Sequence, residues 1–276
     1  MTVKEIKKQS RQILTKRAGN CMSFTLFVFS FLAFLVLCEL TIYVVLKMVG
    51  WEWVYNIRLI RKSEYVRNFW LIKLVLVALL LMSENTIFRR MFIDIIANGN
   101  HISTRQYISA HASEYYFKAI ISSFIYNMLK AIMAVPLFIG GYGIYYWSYT
   151  TRLKEITSFG LFFFMLSLGL TVVWTGVFIY YCISISLTPY IMALNPRANV
   201  FDACDLSVRL MDGHHYDYIQ FILSYLKYIP LLFFVYPIYI LFPFYMLGYT
   251  IFVKDIMGDY WQDKMPAMIK RWKKYL

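Results

Sequence analysis

"NPRANVFDACDLSVRLMDGHHYDY", Asn195–Tyr218, decides how this chain is built. Before it lies Ile156–Leu194, which has no charged residue; after it lies Ile219–Val253, whose only charge is Lys227. A polar segment between two such runs returns the backbone to water between two passages through hydrocarbon. A hydrocarbon core roughly 30 Å thick needs about 20 predominantly apolar residues per helix. The chain offers such runs at Met22–Leu46, Phe69–Phe88, Ala119–Trp147, Ile156–Ser186 and Ile219–Val253. Composition agrees: of 276 residues 60% are apolar, 20% aromatic and only 16% charged, against about a quarter charged in soluble domains. Alternating ten-residue strands of the barrel type are absent, so the spans are helices.

The last run is too long for one crossing, since 35 residues of helix extend about 52 Å at 1.5 Å per residue. Pro230, Pro237 and Pro243 offer places to turn, because proline kinks a helix and biases its predecessor toward extended geometry. Two spans with a turn near Tyr236 and Pro237 are expected, six in all. Cytoplasmic segments collect Lys and Arg. With the N-terminus inside, six spans put eighteen basic residues inside and seven outside. The first outer loop, Lys47–Asn68, is itself basic, and Trp51, Trp53, Tyr55 and Trp70 read as an interfacial belt. The expected fold is all-α: a polytopic transmembrane bundle of six spans with amphipathic cytoplasmic interfacial helices, both termini cytoplasmic. Met1–Arg17 is a basic lead-in to a retained first span and not a cleaved signal, because the run that follows is too long.

Within the opening stretch, Phe201, Cys204, Val208 and Met211 repeat at helical spacing while Asp202, Asp205, Arg209 and Asp212 share another face. Asn199 can cap the start, Gly213 suits the left-handed position past the end, and Asp205 pairs with Arg209 at i, i+4. This is an amphipathic helix, read as interfacial beneath the bundle or, more blandly, as a solvated loop helix. A polar, helix-forming segment followed by two spans recurs three times, from Val3, Ile102 and Asn199, about 98 residues apart. Ser103 and Gln106 form a capping-box pattern in the second. The single membrane domain 1–276 is therefore read as parallel repeats 1–98, 99–196 and 197–276, or as one bundle without repetition.

Charges inside a bilayer are functional suspects. Glu39 and Lys73 lie near headgroup level. Lys130 and Lys227 fall roughly 15–18 Å into their spans, near mid-bilayer, and with Asn127 would attract an anion, a lipid phosphate or a carboxylate such as Glu84. The plainer alternative is that each lysine reaches a carbonyl or headgroup. His214 and His215 are adjacent and diverge by about 100° on a helix, so no metal site is read there, and Cys21, Cys38, Cys182 and Cys204 show no ligand or disulfide spacing. "SENTIFRR" from Ser83 matches only part of the glutamate motif of membrane-embedded CAAX-type proteases, with Asn85 in place of the second glutamate. No P-loop, GxSxG, HExxH or GxGxxG occurs. No catalytic residue, metal or cofactor is expected, and the net charge of +13 needs anionic lipid rather than nucleic acid.

"VKEIKKQSRQILTKRAGN" before the first span and "TPYIMALNPRANVFDACDLSVRLMDGHHYDYIQFILSYL" later resemble a bacterial family of uncharacterised multi-pass membrane proteins. That family is grouped with the membrane region of glycerophosphoryl diester phosphodiesterases. The matching pattern here is Tyr190, Ala193, Asn195, Pro196, Ala203, Ser207, Leu210, Met211, Gly213 and His214. The resemblance implies a plasma-membrane protein without a catalytic domain and supplies no activity. The aromatic, glycine-rich stretch "IGGYGIYYWSYTTRLKEITSFG" departs from the family. The expectation is a non-enzymatic protein that binds membrane lipid or small anions, in transport or envelope maintenance. The alternative is an accessory or permease subunit coupled to other membrane or ATPase subunits through Asp202, Asp205, Arg209 and Asp212.

Overall fold

A computed structural model describes residues 1–17, 89–97, 116–153, 158–195, 197–228 and 235–273, with residues 68 and 230 and isolated positions between 19 and 50. The regular elements among these are helices, with no strand. The first two expected spans, the loop between them and Ile102–Ser113 fall largely or wholly outside the described residues, as do Glu39, Lys73 and Glu84.

Helix α1 (Val3–Lys16) starts on a capping box: Glu5 N–H donates to Thr2 Oγ1 at 3.4 Å and Thr2 N–H donates to Glu5 Oε2 at 2.8 Å. Ile6 and Ser10 are buried on one face, while Lys4, Lys8, Gln9 and Gln12 face out. Helices α2 (Tyr116–Leu153) and α3 (Ser158–Ser184) form a long antiparallel pair. Their contact is built on small residues, the device that lets helices approach where no hydrophobic force separates lipid from protein. A Cβ on Gly140 would overlap Thr171 Oγ1, and one on Gly143 would lie 2.8 Å from Ser167 Oγ. Trp174 Nε1 donates across the pair to Met133 O at 2.9 Å.

The chain then breaks into short pieces, α4 (Thr188–Leu194), α5 (Val200–Met211) and α6 (His215–Leu226), before a long α7 (Val235–Lys273). Gly258, at φ +40°, bends α7. Three stretches are long and apolar enough to cross a membrane: Lys118–Tyr149, Phe159–Leu194 and Ile240–Pro266. They correspond to the third, fourth and last expected spans. The expected fifth span is not among them, because α6 stops after 12 residues, about 18 Å. The turn also differs from expectation: Tyr236 and Pro237 already lie inside α7. Pro237 occupies the first turn, where a missing N–H has no intrahelical partner to lose.

The close-packed core sits at one end of the α2–α3 pair. There α4, α5, α6, α7, α1 and the helical stretch 89–97 bury Ile6, Phe92, Leu187, Tyr190, Met211 and Leu247. Helix α1 runs antiparallel along α7, from a Met1 ammonium–Asp255 pair at 2.6 Å to the Arg11 guanidinium 5.8 Å from the Phe244 ring. Phe221 of α6 stacks on Phe252, with centroids 5.0 Å apart. The three helices meet at Gly248, where a Cβ would overlap the Tyr225 hydroxyl and lie 3.3 Å from Ser10 Oγ.

The opening stretch is an amphipathic helix, turned from the expected register. Its buried face is Val200, Ala203, Ser207 and Met211; Phe201 and Val208 are exposed, and Cys204 is half-buried. Asn199 occupies the N-cap without a side-chain bond, Gly213 has φ +80°, and Arg209 Nη2 donates to Asp205 Oδ2 at 2.6 Å.

Candidate functional site

Helix α3 ends at Ser184 and the turn Ile185–Leu187 leads into α4, where Pro189 sits in the first turn and its missing N–H has no intrahelical partner to lose. The turn frees carbonyls inside the core, and each needs a donor. Ser207 Oγ donates to Ser184 O at 2.7 Å and accepts from Leu187 N–H at 3.1 Å. Tyr126 Oη donates to Ile185 O and Tyr249 Oη to Ser186 O, both at 3.3 Å. Tyr190, fully buried, bonds Thr250 Oγ1 at 3.2 Å and meets Tyr249 edge-on at 5.4 Å. A tyrosine-rich floor results, held by α2, α4 and α7.

Two cations stand on this floor. The Arg89 guanidinium lies 4.9 Å from the Tyr190 ring and 6.0 Å from that of Tyr249. Lys130 Nζ lies 4.2 Å from the Tyr126 ring, one helical turn back. Such contacts are worth about 2 kcal/mol when desolvated. Arg89, Cys182 and Cys204 are titratable neighbours of Lys130, so α2, α3, α5 and the 89–97 stretch converge here. Arg90 and Asp94, one turn apart on the 89–97 stretch, are both buried. Asn127 is half-buried, and its Nδ2 donates to Ser123 O at 2.8 Å. Cys204 accepts from Thr188 Oγ1 at 3.6 Å, and burial pushes its thiol pKa up, which keeps it protonated and unreactive.

Lys130 and Lys227, expected as a matched pair, belong to different places. Lys227 caps the C-terminus of α6 and is exposed, its Nζ 5.2 Å from the Tyr228 ring. The continuous helix expected around it is interrupted, because α6 ends immediately before it. Its basic neighbour is Lys7. Arg89 carried no sequence signal: its tyrosine partners come from α4 and α7, far along the chain.

Asp202, Asp205, Arg209 and Asp212 all lie exposed on α5, beside exposed Phe201 and Val208. His214 Nδ1 is 3.3 Å from Asp217, whereas His215 is half-buried, stacked on Tyr180 at 4.5 Å and 2.9 Å from Ser184 Oγ. Among the described residues no group of three or more His, Cys, Asp or Glu could hold a metal, and Cys21, Cys182 and Cys204 are free thiols.

The class defined by these features is an all-helical protein with membrane-length apolar helices and a basic, tyrosine-floored cluster where they end. The chain belongs to DUF975, a family of proteins of unknown function, whose model matches residues 1–259. No curated protein and no solved structure matches it. Nothing in these comparisons links it to the glycerophosphoryl diester phosphodiesterase membrane region.

Proposed function

We propose that this is a non-enzymatic, multi-pass protein of the bacterial plasma membrane, with both termini cytoplasmic, that binds a phosphate- or carboxylate-bearing ligand at Arg89 and Lys130 in transport or envelope maintenance. The observation that carries this reading is the pair of cations on one tyrosine floor, fed by four separate segments of chain. Two like charges in a low-dielectric setting repel each other and raise the affinity for an anion between them. Asn127, on the same helix as Lys130, adds an amide to that neighbourhood. The remaining crossings are read in the first ninety residues and in the α6–α7 hairpin, and kinship with the phosphodiesterase membrane region rests on the Tyr190–His214 pattern alone.

The test is thermal stability of the detergent-purified protein with inorganic phosphate and with a short-chain phosphatidic acid. Both should stabilise wild type, and the effect of inorganic phosphate should persist in the Lys227→Met variant and vanish in Lys130→Met. Stabilisation by inorganic phosphate that survives Lys130→Met refutes the assignment. A second reading rests on the exposed Asp202, Asp205, Arg209 and Asp212 face with Phe201 and Val208 beside it: a coupling surface for an ATPase or other membrane subunit. Recovery of such a subunit in mild detergent, lost on Phe201→Glu, would favour it.

A further inference from the structure

Helix α6 has two apolar faces, and only one is used by the fold. Phe221 and Tyr225 turn inward against α7. Tyr216, Ile219, Leu223 and Leu226, at i, i+3, i+7 and i+10, form an exposed row, with Tyr216 74% and Leu223 58% accessible. This row ends at a group of cations. Lys7 Nζ lies 4.4 Å from the Tyr225 ring and 5.4 Å from the Tyr228 ring, and donates to Ser224 O at 2.6 Å. Lys227 Nζ lies 5.2 Å from the same Tyr228 ring, and the Arg11 guanidinium is 5.8 Å from that of Phe244. Among the described residues none of the three has a carboxylate within salt-bridge distance.

The bond from Lys7 to Ser224 O is a helix C-terminal cap, which accounts for one donor of one lysine. It leaves the charges of Lys227 and Arg11 unexplained. The surroundings are also asymmetric. Helix α1 lies to the side of α6 and shows water a polar face of Lys4, Lys8, Gln9 and Gln12, so that side cannot lie in hydrocarbon. The apolar row faces elsewhere. An apolar row, aromatic rings at its end and basic groups at the boundary with a wet face are the parts of a lipid-headgroup contact.

We propose that the outer face of α6, with Lys7, Arg11 and Lys227, is a docking surface for anionic phospholipid. Acyl chains lie along Ile219, Leu223 and Leu226, and the phosphate sits among the three cations. The inference rests on the membrane location of the chain but not on the ligand assigned to Arg89 and Lys130.

The experiment places a photoreactive benzoylphenylalanine at Leu223 of the full chain, reconstituted in vesicles of equal parts phosphatidylglycerol and phosphatidylcholine, and identifies crosslinked lipid by mass. Phosphatidylglycerol should be enriched about fivefold or more, the effect of a single cation near an anionic surface. The enrichment should fall in high salt and vanish in the Lys7→Gln/Arg11→Gln/Lys227→Gln variant. The single Lys227→Gln variant, at an exposed helix end that cannot unfold the protein, should reduce it; Lys130→Met should leave it unchanged. Crosslinking without headgroup preference, crosslinking to protein, or competition by inorganic phosphate as effective as by the lipid would each overturn the proposal.

Discussion

Gly248→Ala tests whether α1, α6 and α7 pack as described. A methyl group there overlaps the Tyr225 hydroxyl oxygen and comes within 3.3 Å of both Tyr225 Cζ and Ser10 Oγ. A hydroxyl at the tip of a side chain often moves aside cheaply, but this ring is held. It packs against Phe221 at 5.0 Å, Tyr245 at 5.2 Å and Phe244 at 5.5 Å, with the Lys7 ammonium over its face. Overpacking of a fixed core costs about 1–3 kcal/mol, whereas replacing a mid-helix glycine by alanine gains up to about 1 kcal/mol. The net expectation is a loss of about 1–2 kcal/mol, a midpoint lower by roughly 2–6 °C in thermal unfolding of detergent-solubilised protein. Tyr225→Phe removes the overlapped atom. In that background Gly248→Ala should be neutral or stabilising, a coupling of about 1–3 kcal/mol across the double-mutant cycle. Additive losses, or a Gly248→Ala protein as stable as wild type, would refute this three-helix junction.

Two further outcomes follow from the same geometry. Gly140→Ala should force α2 from α3 at Thr171 and lower stability by about 1–3 kcal/mol, while Gly141→Ala, with nothing within 4 Å, should not; equal effects in thermal unfolding would contradict the helix pairing. Burial, then the charges of Lys227 and Arg11, hold the Lys7 pKa below its ordinary 10.5. The folded state therefore loses that proton before the unfolded state does, and stability should rise with pH between the depressed value and 10.5. Lys7→Met should remove that rise, so the wild-type minus variant difference in midpoint should increase toward high pH; a constant difference would sink the argument.

What was legible in the chain was what local rules govern. Long apolar runs announced α2, α3 and α7, since hydropathy over 20 residues needs no knowledge of neighbours. Gly213, the Asp205–Arg209 pair and the start at Val200 were equally local. The buried face of α5 was not. Ala203 and Ser207 look like poor core residues until Ser207 is seen serving the Ser184 carbonyl and the Leu187 amide, a demand created by a break in another helix. Phe201 looks like core and is exposed. The helix end at Lys227 was not legible, because an uninterrupted apolar run reads as continuous helix, whereas α6 ends immediately before it. Arg89 was missed because the rings that receive it are contributed by segments distant in sequence.

The docking of α1 on α6 and α7 also sets an order for biogenesis. Lys7 reaches Ser224 across 217 residues, so α1 is synthesised well before the helices it packs against. At about 5–20 residues per second that delay is on the order of 10–45 s. Meanwhile Ile6, Ile13 and Leu14 have no protein to cover them. An amphipathic segment in that position shelters on the nearest bilayer surface until α6 and α7 are in place to cover it.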